Sequence, residues 1–217
     1  GLKISGTIQI VALPRLYVMV IIPHIPLHPS YLADEMAKPT LNWEENAMWY
    51  VLQVRTGTEE NIRQQCRSNI SDTVLEHCFI PYYEERRRIR GEWTIQKKVL
   101  FPGYVFVIIE KEKLDQLFWS LKNVIGLTKL IGTGQEIVPL TEEEKNFLIG
   151  FGGDDQVVEM SEGVIEGDKT IVTKGPLMGK EGFIRKIDRH KRKAWLEIEM
   201  FGRMQEIQVG LEIVRKS

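Results

Sequence analysis

The stretch LFPGYVF, Leu100–Phe106, places a break in the backbone directly before a predicted strand. Pro102 cannot donate a hydrogen bond to a neighbouring strand, and Gly103 has no side chain to pack. An apolar and largely β-branched or aromatic run, YVFVII at Tyr104–Ile109, follows at once. This pattern predicts that the Pro-Gly pair bends the chain into a sheet and that a buried strand begins directly after the bend.

The segments on either side alternate predicted strands with predicted helices. Trp49–Thr56 is aromatic and β-branched, which is typical of a buried strand. Thr56 and Glu59 have the spacing of a capping box, which predicts a helix that ends near Asn69. Four further segments follow: a hairpin in HCFIPYYEERRRIRGEWTIQKKVL that turns near Gly91, a helix in KEKLDQLFWSLKNV, a short strand in GLTKLIG, and a helix in LTEEEKNFLIG with a capping box at Thr141 and Glu144. The order β-α-β-β-β-α-β-α predicts an α+β domain, an antiparallel or mixed sheet with packed helices.

The rest of the chain divides into three further parts. Residues 1–47 lack the caps and amphipathic periodicity of the later segments, and we expect them to be an extension outside the folded domains. The predicted N-terminal domain spans 48–150, and the acidic, glycine-rich residues 151–160 are expected to form a linker. After it, short β-rich runs separated by turns over 161–217 predict a small β-barrel.

Composition narrows the classes of function. The chain of 217 residues has a net charge of -1 and two cysteines, Cys66 and Cys78, which form no CxxC motif. The spacing of cysteines and histidines predicts neither a disulfide framework nor a zinc site, and it fits a reducing, cytosolic setting. The apolar run Ile8–Ile22 is too short and too interrupted for a membrane span. No motif of a hydrolase, nucleotide-binding loop or metalloprotease occurs, so we expect a protein without catalytic residues, cofactor or metal.

The order WYVLQV, helix, LFPGYVFV, GLTKLIG resembles the N-terminal domain of NusG-type transcription elongation factors. The segment from 166 onwards resembles their KOW domain, an SH3-like barrel, through a GD…V…GP…G…G pattern that includes Gly182 and through the later FGR at Phe201–Arg203. The resemblance covers 48–217. Within the family, the run GPLMGKEGFIRKIDRHKRKAWLEI is more similar to specialised antiterminators of the LoaP type than to housekeeping NusG.

The resemblance implies that one face of the N-terminal sheet grips the paired clamp helices of the largest RNA polymerase subunit. Strand side chains alternate, so Tyr104 and Phe106 share a face while Phe101 sits at the bend. For Phe101 the core and the interface are two open alternatives, whereas the interface is favoured for Tyr104 because its hydroxyl needs a partner or water. The positions that match the family's polymerase-binding face are Gln53, Phe101, Tyr104, Phe106, Asn123 and Ile125. A second polymerase contact near Asp115–Leu117 lacks the polar residues that some family members use.

A basic run predicts a nucleic-acid site. Arg185–Lys193 holds six basic residues and one acid, while the whole segment 161–217 has a net charge of +3. Lysine and arginine side chains drive nucleic-acid binding by neutralising phosphates. The alternative is a solvated hairpin tip that binds nothing. The predicted RNA-binding residues are Lys174, Lys180, Arg185, Lys186, Arg189, His190, Lys191, Arg192 and Lys193. A second basic hairpin, Glu84–Lys98, is expected to be solvated or to face DNA of the transcription bubble.

Three functions compete at this point. The leading hypothesis is a monomeric, non-catalytic factor that binds RNA polymerase, suppresses pausing or termination, and is recruited by a structured RNA on its KOW domain. The second is a housekeeping factor whose KOW domain binds a termination factor or a ribosomal protein. The third is a ribosome-associated RNA-binding protein, and the predicted polymerase-binding domain argues against it. We expect no membrane partner in any of the three cases.

Overall fold

The computed structural model describes residues 47–130, 132–133 and 136–216. The described residues belong to one compact unit. The extension predicted over 1–47 lies outside the described residues, apart from Ala47, which is the first residue of the first strand. None of the helices in the described ranges is long and apolar enough to cross a membrane.

Two domains follow one another along the chain. The N-terminal domain, defined here as residues 47–158, contains β1 (Ala47–Val54), α1 (Glu59–Asn69), β2 (His77–Phe79), β3 (Tyr82–Ile89), β4 (Glu92–Val99), β5 (Tyr104–Glu110), α2 (Leu114–Leu121), β6 (Leu127–Leu130), β7 (Gly132–Thr133), β8 (Glu136–Ile137), α3 (Glu142–Gly152) and β9 (Val157–Val158). The C-terminal domain, residues 161–216, contains β10 (Ser161–Glu166), β11 (Lys169–Lys174), β12 (Ile184–Asp188), β13 (Lys193–Met200) and β14 (Arg203–Lys216). The predicted combination of an α+β domain and a small β domain is confirmed.

The main sheet of the N-terminal domain has the strand order β2-β5-β1-β6. The central pair, β1 and β5, is antiparallel, and Val51 lies opposite Phe106. Alternate residues of this pair, together with residues of α1 and α2, build one hydrophobic core: Tyr50, Leu52, Val54, Val105, Val107, Ile109, Ile62, Cys66, Leu117 and Leu121. The opposite face of the same strands carries aromatic side chains, including Tyr104 and Phe106.

The Pro-Gly bend is fixed by a buried carboxylate. Gly103 has φ +86°, and its N–H donates to Oε1 of Glu59 at 2.7 Å. The second oxygen of Glu59 accepts from the N–H of Gly57 at 2.8 Å, and the Gly103 carbonyl accepts from Val54 N–H at 2.8 Å. The predicted capping box at Thr56 and Glu59 is therefore wrong. Glu59 instead joins the first loop to the bend, and α1 begins after Thr58.

The predicted linker over 151–160 is largely structured. Helix α3 runs to Gly152, and the predicted capping box of Thr141 with Glu144 is confirmed at its start. β9 then pairs in parallel with β3, where Tyr82 lies opposite Val157. β3 and β4 form the predicted hairpin, turning through Arg90 and Gly91, both at positive φ. The physical reason for the difference is that the valines of β9 extend the β3–β4 hairpin into a three-stranded sheet.

The C-terminal domain is one five-stranded sheet with the order β11-β10-β14-β13-β12. Its longest strand, β14, pairs antiparallel with β13 over its first part and parallel with β10 over its last part. The runs QEIQVG and EIVRK both belong to this one strand. β13 and β14 are joined by a tight turn at Phe201 and Gly202.

We predict that Gly103→Ala lowers the free energy of unfolding by ~1–3 kcal/mol, because an L residue at this positive φ is strained. An added Cβ would also lie 3.3 Å from the Val54 carbonyl oxygen. Urea unfolding measures the change. Gly150→Ala is the matched control, since Gly150 lies in α3 and a Cβ there meets nothing within 4 Å. An equal loss in both variants would contradict the role assigned to the bend.

Candidate functional site

A cluster of aromatic rings covers the outer face of β1 and β5. Phe106 stacks with Phe79 at a centroid distance of 5.4 Å, and Phe79 meets Trp49 edge-on at 5.3 Å. Phe101, at the Pro-Gly bend, lies 5.9 Å from Phe106. With Tyr104, these residues are named here the ring cluster. Register explains its make-up, since Trp49, Tyr104 and Phe106 occupy alternate positions of two paired strands.

One residue of the C-terminal domain completes the ring cluster. The ring of Phe201, at the tip of the β13–β14 hairpin, lies 4.8 Å from Tyr104, 5.6 Å from Phe101 and 5.8 Å from Phe106. Phe201 has φ +59°, and Gly202 follows with φ +68°. A bulky residue at positive φ is strained, and here the two-residue turn between β13 and β14 imposes that φ. The backbone of this turn thus aims a phenylalanine ring at the other domain.

Polar contacts hold the hairpin tip in place. The N–H of Phe201 donates to Oε1 of Glu144 at 2.6 Å. The other oxygen of Glu144 accepts from Thr141 N–H at 2.8 Å, so a single carboxylate caps α3 and binds the tip. The guanidinium of Arg203 donates to the Tyr104 hydroxyl. The predicted need of Tyr104 for a polar partner is thus met inside the protein.

Our expectation that the Tyr104 side chain is exposed is wrong. Tyr104 is 6% exposed, and Phe101 and Phe106 are buried as well. The reason is Phe201, which covers the face that the N-terminal domain leaves open. Gln53 pairs with Tyr104 in the register of β1 and β5 and is partly buried.

Asn123 and Ile125 lie elsewhere in the domain. Ile125 is 82% exposed, and its backbone N–H and carbonyl both bond to the side chain of Gln65 on α1. Helix α1 packs on the face of the sheet opposite the ring cluster. The structure therefore brings together four of the six predicted polymerase-binding residues and places Asn123 and Ile125 apart from them. The role of all six residues in polymerase binding stays a prediction.

A second contact between the domains, named here the clasp, is made of charged side chains and one tryptophan. Glu85, which is buried, pairs with Lys193 of the C-terminal domain and lies 3.4 Å from Arg87. Burial, followed by the charge of the Glu85 carboxylate, raises the pKa of Tyr83 to about 12. This part of β3 is thus shielded from water.

Glu212 and Trp93 complete the clasp. Glu212 on β14 accepts from Arg86 at 2.6 Å and, with its other oxygen, from Arg192 at 3.0 Å. The guanidinium carbon of Arg192 lies 3.4 Å from the ring centre of Trp93. Two basic segments, the β3–β4 hairpin and the predicted RNA-binding run, are therefore joined through acids and an aromatic ring.

The predicted RNA-binding residues fall into separate environments. Arg192 and Lys193 belong to the clasp, whereas Arg189, His190 and Lys191 are exposed in the turn between β12 and β13. The Lys191 N–H donates to Asp188, and this bond lowers the pKa of that carboxyl. Three of the remaining members have local partners. Arg185 pairs with Glu197 at 2.9 Å, Lys186 lies 4.9 Å from the Trp195 ring, and Lys180 donates to the Pro176 carbonyl. Lys174 is exposed at the end of β11.

Sequence reasoning missed the residues that join the domains. Phe201 was noted as part of the FGR marker, but without a contact. Trp93 and Glu212 have no motif of their own, although an exposed tryptophan in a basic hairpin is a signal of a binding surface. In the part of the chain that the structure describes, no group of three or more His, Cys, Asp or Glu side chains is placed to hold a metal ion.

Comparison with known proteins is consistent with this geometry. Residues 47–149 match the family model NusG, described as "Transcription termination factor nusG". The N-terminal domain therefore matches the NusG family. The "Transcription termination/antitermination protein NusG" of Rickettsia conorii is 25% identical over 174 residues, covering 78% of this chain and 90% of the relative. The protein of the same description from Staphylococcus aureus is 26% identical over 176 residues, covering 77% and 94%.

A solved structure supports the NusG fold. The structure described as "Domain interaction in Thermotoga maritima NusG" aligns with a TM-score of 0.50 at 22% identity, covering 77% of this chain and 94% of that one. Each of these matches is longer than the span of the family model, so it includes part of the chain outside 47–149. The predicted NusG-family fold, an N-terminal α+β domain with a KOW-like β domain, is confirmed.

We predict that Phe201→Asn separates the two domains without unfolding the C-terminal one. Asn-Gly is the preferred pair for a two-residue hairpin turn with both φ angles positive, so the hairpin keeps its turn and loses only its ring. Hydroxyl-radical footprinting should show higher oxidation of Tyr104 and Phe106. Met204→Ala is the control, because Met204 lies on β14 directly after the turn and is 55% exposed. Unchanged protection of Tyr104 in the Asn variant would contradict the covering role of Phe201.

Proposed function

We propose that this NusG-family protein is a non-catalytic transcription elongation and antitermination factor that binds RNA polymerase through the ring cluster and a structured RNA through its C-terminal domain. The observation that carries the polymerase part is the cover on the ring cluster. Tyr104, Phe106 and Phe101 are buried by a residue of the second domain, and without Phe201 they would form an exposed aromatic face. Exposed aromatic patches of this kind mark protein interfaces.

The chemistry of this face suits an apolar helical partner. The rings present broad carbon surfaces, and Tyr104 adds one hydroxyl that can exchange its bond with Arg203 for a bond to a partner. The resemblance to NusG-type factors supports the clamp helices of the largest polymerase subunit as that partner. Phe201 and the polymerase would occupy the same face, so polymerase binding requires the hairpin tip to leave. The described structure is then the closed form of the factor.

The RNA part is supported by the basic run. Arg189, His190 and Lys191 sit together in one exposed turn, which ends at Arg192. Arg185 and Lys186 on β12 and Lys193 at the start of β13 flank this turn. A polyanion that neutralises such a cluster gains free energy by releasing counterions. RNA is the expected polyanion for a factor that travels with polymerase. The β3–β4 hairpin, with its own arginines, stays a predicted contact for DNA of the transcription bubble.

Polymerase binding is tested with Tyr104→Ala in the Phe201→Asn background. We expect Phe201→Asn alone to bind core RNA polymerase more tightly than the unmodified chain, because the face is uncovered. Adding Tyr104→Ala should weaken binding by ~5- to 150-fold, the equivalent of ~1–3 kcal/mol for an interface anchor. Biolayer interferometry on immobilised polymerase measures both. Ile171→Ala, an exposed apolar change in the C-terminal domain, is the control.

Two results would contradict the polymerase proposal. Equal binding of Phe201→Asn with and without Tyr104→Ala would show that the ring cluster is not part of the interface. Failure of every variant to bind polymerase would contradict the polymerase proposal as a whole. Circular dichroism of each variant separates a lost contact from a lost fold.

RNA binding is tested by its salt dependence in the full chain. If about four side chains meet phosphates, the logarithmic salt slope is roughly -3 to -4. Lys191→Ala should flatten that slope by about one unit and weaken a panel of RNA hairpins equally. Lys129→Ala makes the same change of charge on β6 and should leave the slope unchanged. No saturable RNA binding at low salt would favour the housekeeping role, in which the KOW-like domain binds a protein.

A further inference from the structure

Two thiols are neighbours in the core between α1 and the main sheet. Cys66 is an inward-facing residue of α1, and Cys78 is the middle residue of β2. Both are free and buried, at 0% and 3% exposed, and both belong to the same hydrophobic core. The two side chains form a hydrogen bond with each other. The chain contains two cysteines, so this is the one pair that can form a disulfide within a molecule.

The pair lies at the margin of the domain, where local opening is easiest. β2 has three residues and stands at the end of the sheet order β2-β5-β1-β6. Among the described strands it pairs with β5, and Cys78 lies opposite Val107. Helix α1 ends at Asn69, and the segment that follows it is exposed at 71–73. Short edge strands and helix ends open at a low cost in free energy, so a small oxidant can reach thiols that are buried on average.

The hydrogen bond gives the two sulfur atoms different roles. The Cys78 thiol donates to Cys66, and this bond lowers the pKa of Cys66 because it stabilises the acceptor thiolate. The same bond, followed by burial, raises the pKa of Cys78. The positive charges of Arg67 and Arg63 on α1 favour a negative charge at this pair. The thiolate is the nucleophile in thiol oxidation, so Cys66 should react first and Cys78 second.

We propose that Cys66 and Cys78 are a redox modification site, at which a peroxide forms a disulfide that links α1 to β2. The Cys66 sulfur attacks one oxygen of hydrogen peroxide, the S–O bond forms as the O–O bond breaks, and the hydroxide takes the proton that the Cys66 thiol released. The Cys78 sulfur then attacks the sulfenic acid sulfur. The S–S bond forms, the S–O bond breaks, and the hydroxyl leaves as water with the Cys78 proton. Two thiols are oxidised, and the peroxide is reduced to water.

The disulfide acts on the ring cluster from the opposite face of the sheet. Successive residues of a strand point to opposite faces, and Phe79 directly follows Cys78. Phe79 stacks with Phe106 and meets Trp49 edge-on in the ring cluster. The link closes a short loop, which restricts the unfolded chain more than the folded one. Oxidation therefore stabilises the N-terminal domain and holds Phe79 in place, whether or not the proposed function is correct.

The test exposes the full chain to hydrogen peroxide in native buffer, after reduction with dithiothreitol and removal of the reductant. Intact-mass spectrometry should show the loss of two hydrogen atoms. Trypsin cleaves after arginine, and digestion without a reductant should give peptide 64–67 linked to peptide 68–86. Cys78→Ala is the matched variant. It keeps Cys66 but has no second thiol, so Cys66 should gain oxygen instead of forming the link.

The oxidised chain should be more stable than the reduced one. We expect its melting temperature to rise by about 5 °C, which fits a short closed loop in a chain of this size, and dithiothreitol should reverse the rise. Hydrogen exchange at 77–79 should become slower on oxidation, because β2 then opens less often. Both measurements use the unmodified sequence, so they do not depend on whether Cys78→Ala folds.

Three results would overturn the inference. Oxygen adducts on the unmodified chain without the linked peptides would show that Cys78 does not capture the oxidised Cys66. Disulfides that form between molecules, seen on a gel without reductant, would show that the two thiols do not meet in one chain. A linked chain that melts at a lower temperature would show that the disulfide forms in the opened chain and does not fit the folded one.

Discussion

The insertion of Phe201 into the ring cluster is the contact on which the arrangement of the domains depends. Burying such a side chain contributes ~1.5–3 kcal/mol, and ring pairs add ~0.5–1.5 kcal/mol each. The positive φ at Phe201 does not oppose closure, because the β13–β14 turn keeps it in either form. The gain of ring burial therefore belongs to closure alone. A polymerase surface of similar apolar character could contribute a free energy of the same size.

The charged clasp works differently from the ring contact. Lys193 pairs with the buried Glu85 of the other domain in a partly dry environment, where removing one partner costs more than the pair contributes. Glu212 accepts from Arg86 across the domains, whereas Arg192 bonds Glu212 within its own domain and meets the other domain at the Trp93 ring. The ring contact thus joins the domains by burying apolar surface, and the clasp joins them by pairing charges.

Much of the fold was predictable from sequence, because local rules decide it. The strand after Gly103, the hairpin at Gly91 and the capping box at Thr141 follow from periodicity and turn chemistry within short windows. The burial of Tyr104 was not predictable, since Phe201 is distant in the chain. Alternation along a strand predicts on which face of the sheet a side chain lies, but it does not predict which residue packs against that face. The role of Glu59 was missed for the same reason: its partner, Gly103, lies on another element.

The closed and open forms can be distinguished by the distance between the domains. Cys66 and Cys78 are buried, and their mutual hydrogen bond, with burial, raises the pKa of the Cys78 thiol, so dyes attach selectively to exposed cysteines introduced at Lys129→Cys and Val214→Cys. The decisive measurement is single-molecule energy transfer between these dyes as core RNA polymerase is added. We predict a high-transfer state for the free protein and a low-transfer state for every polymerase-bound molecule. Polymerase-bound molecules that keep the high-transfer state would contradict it, because Phe201 and polymerase would then not share the ring cluster.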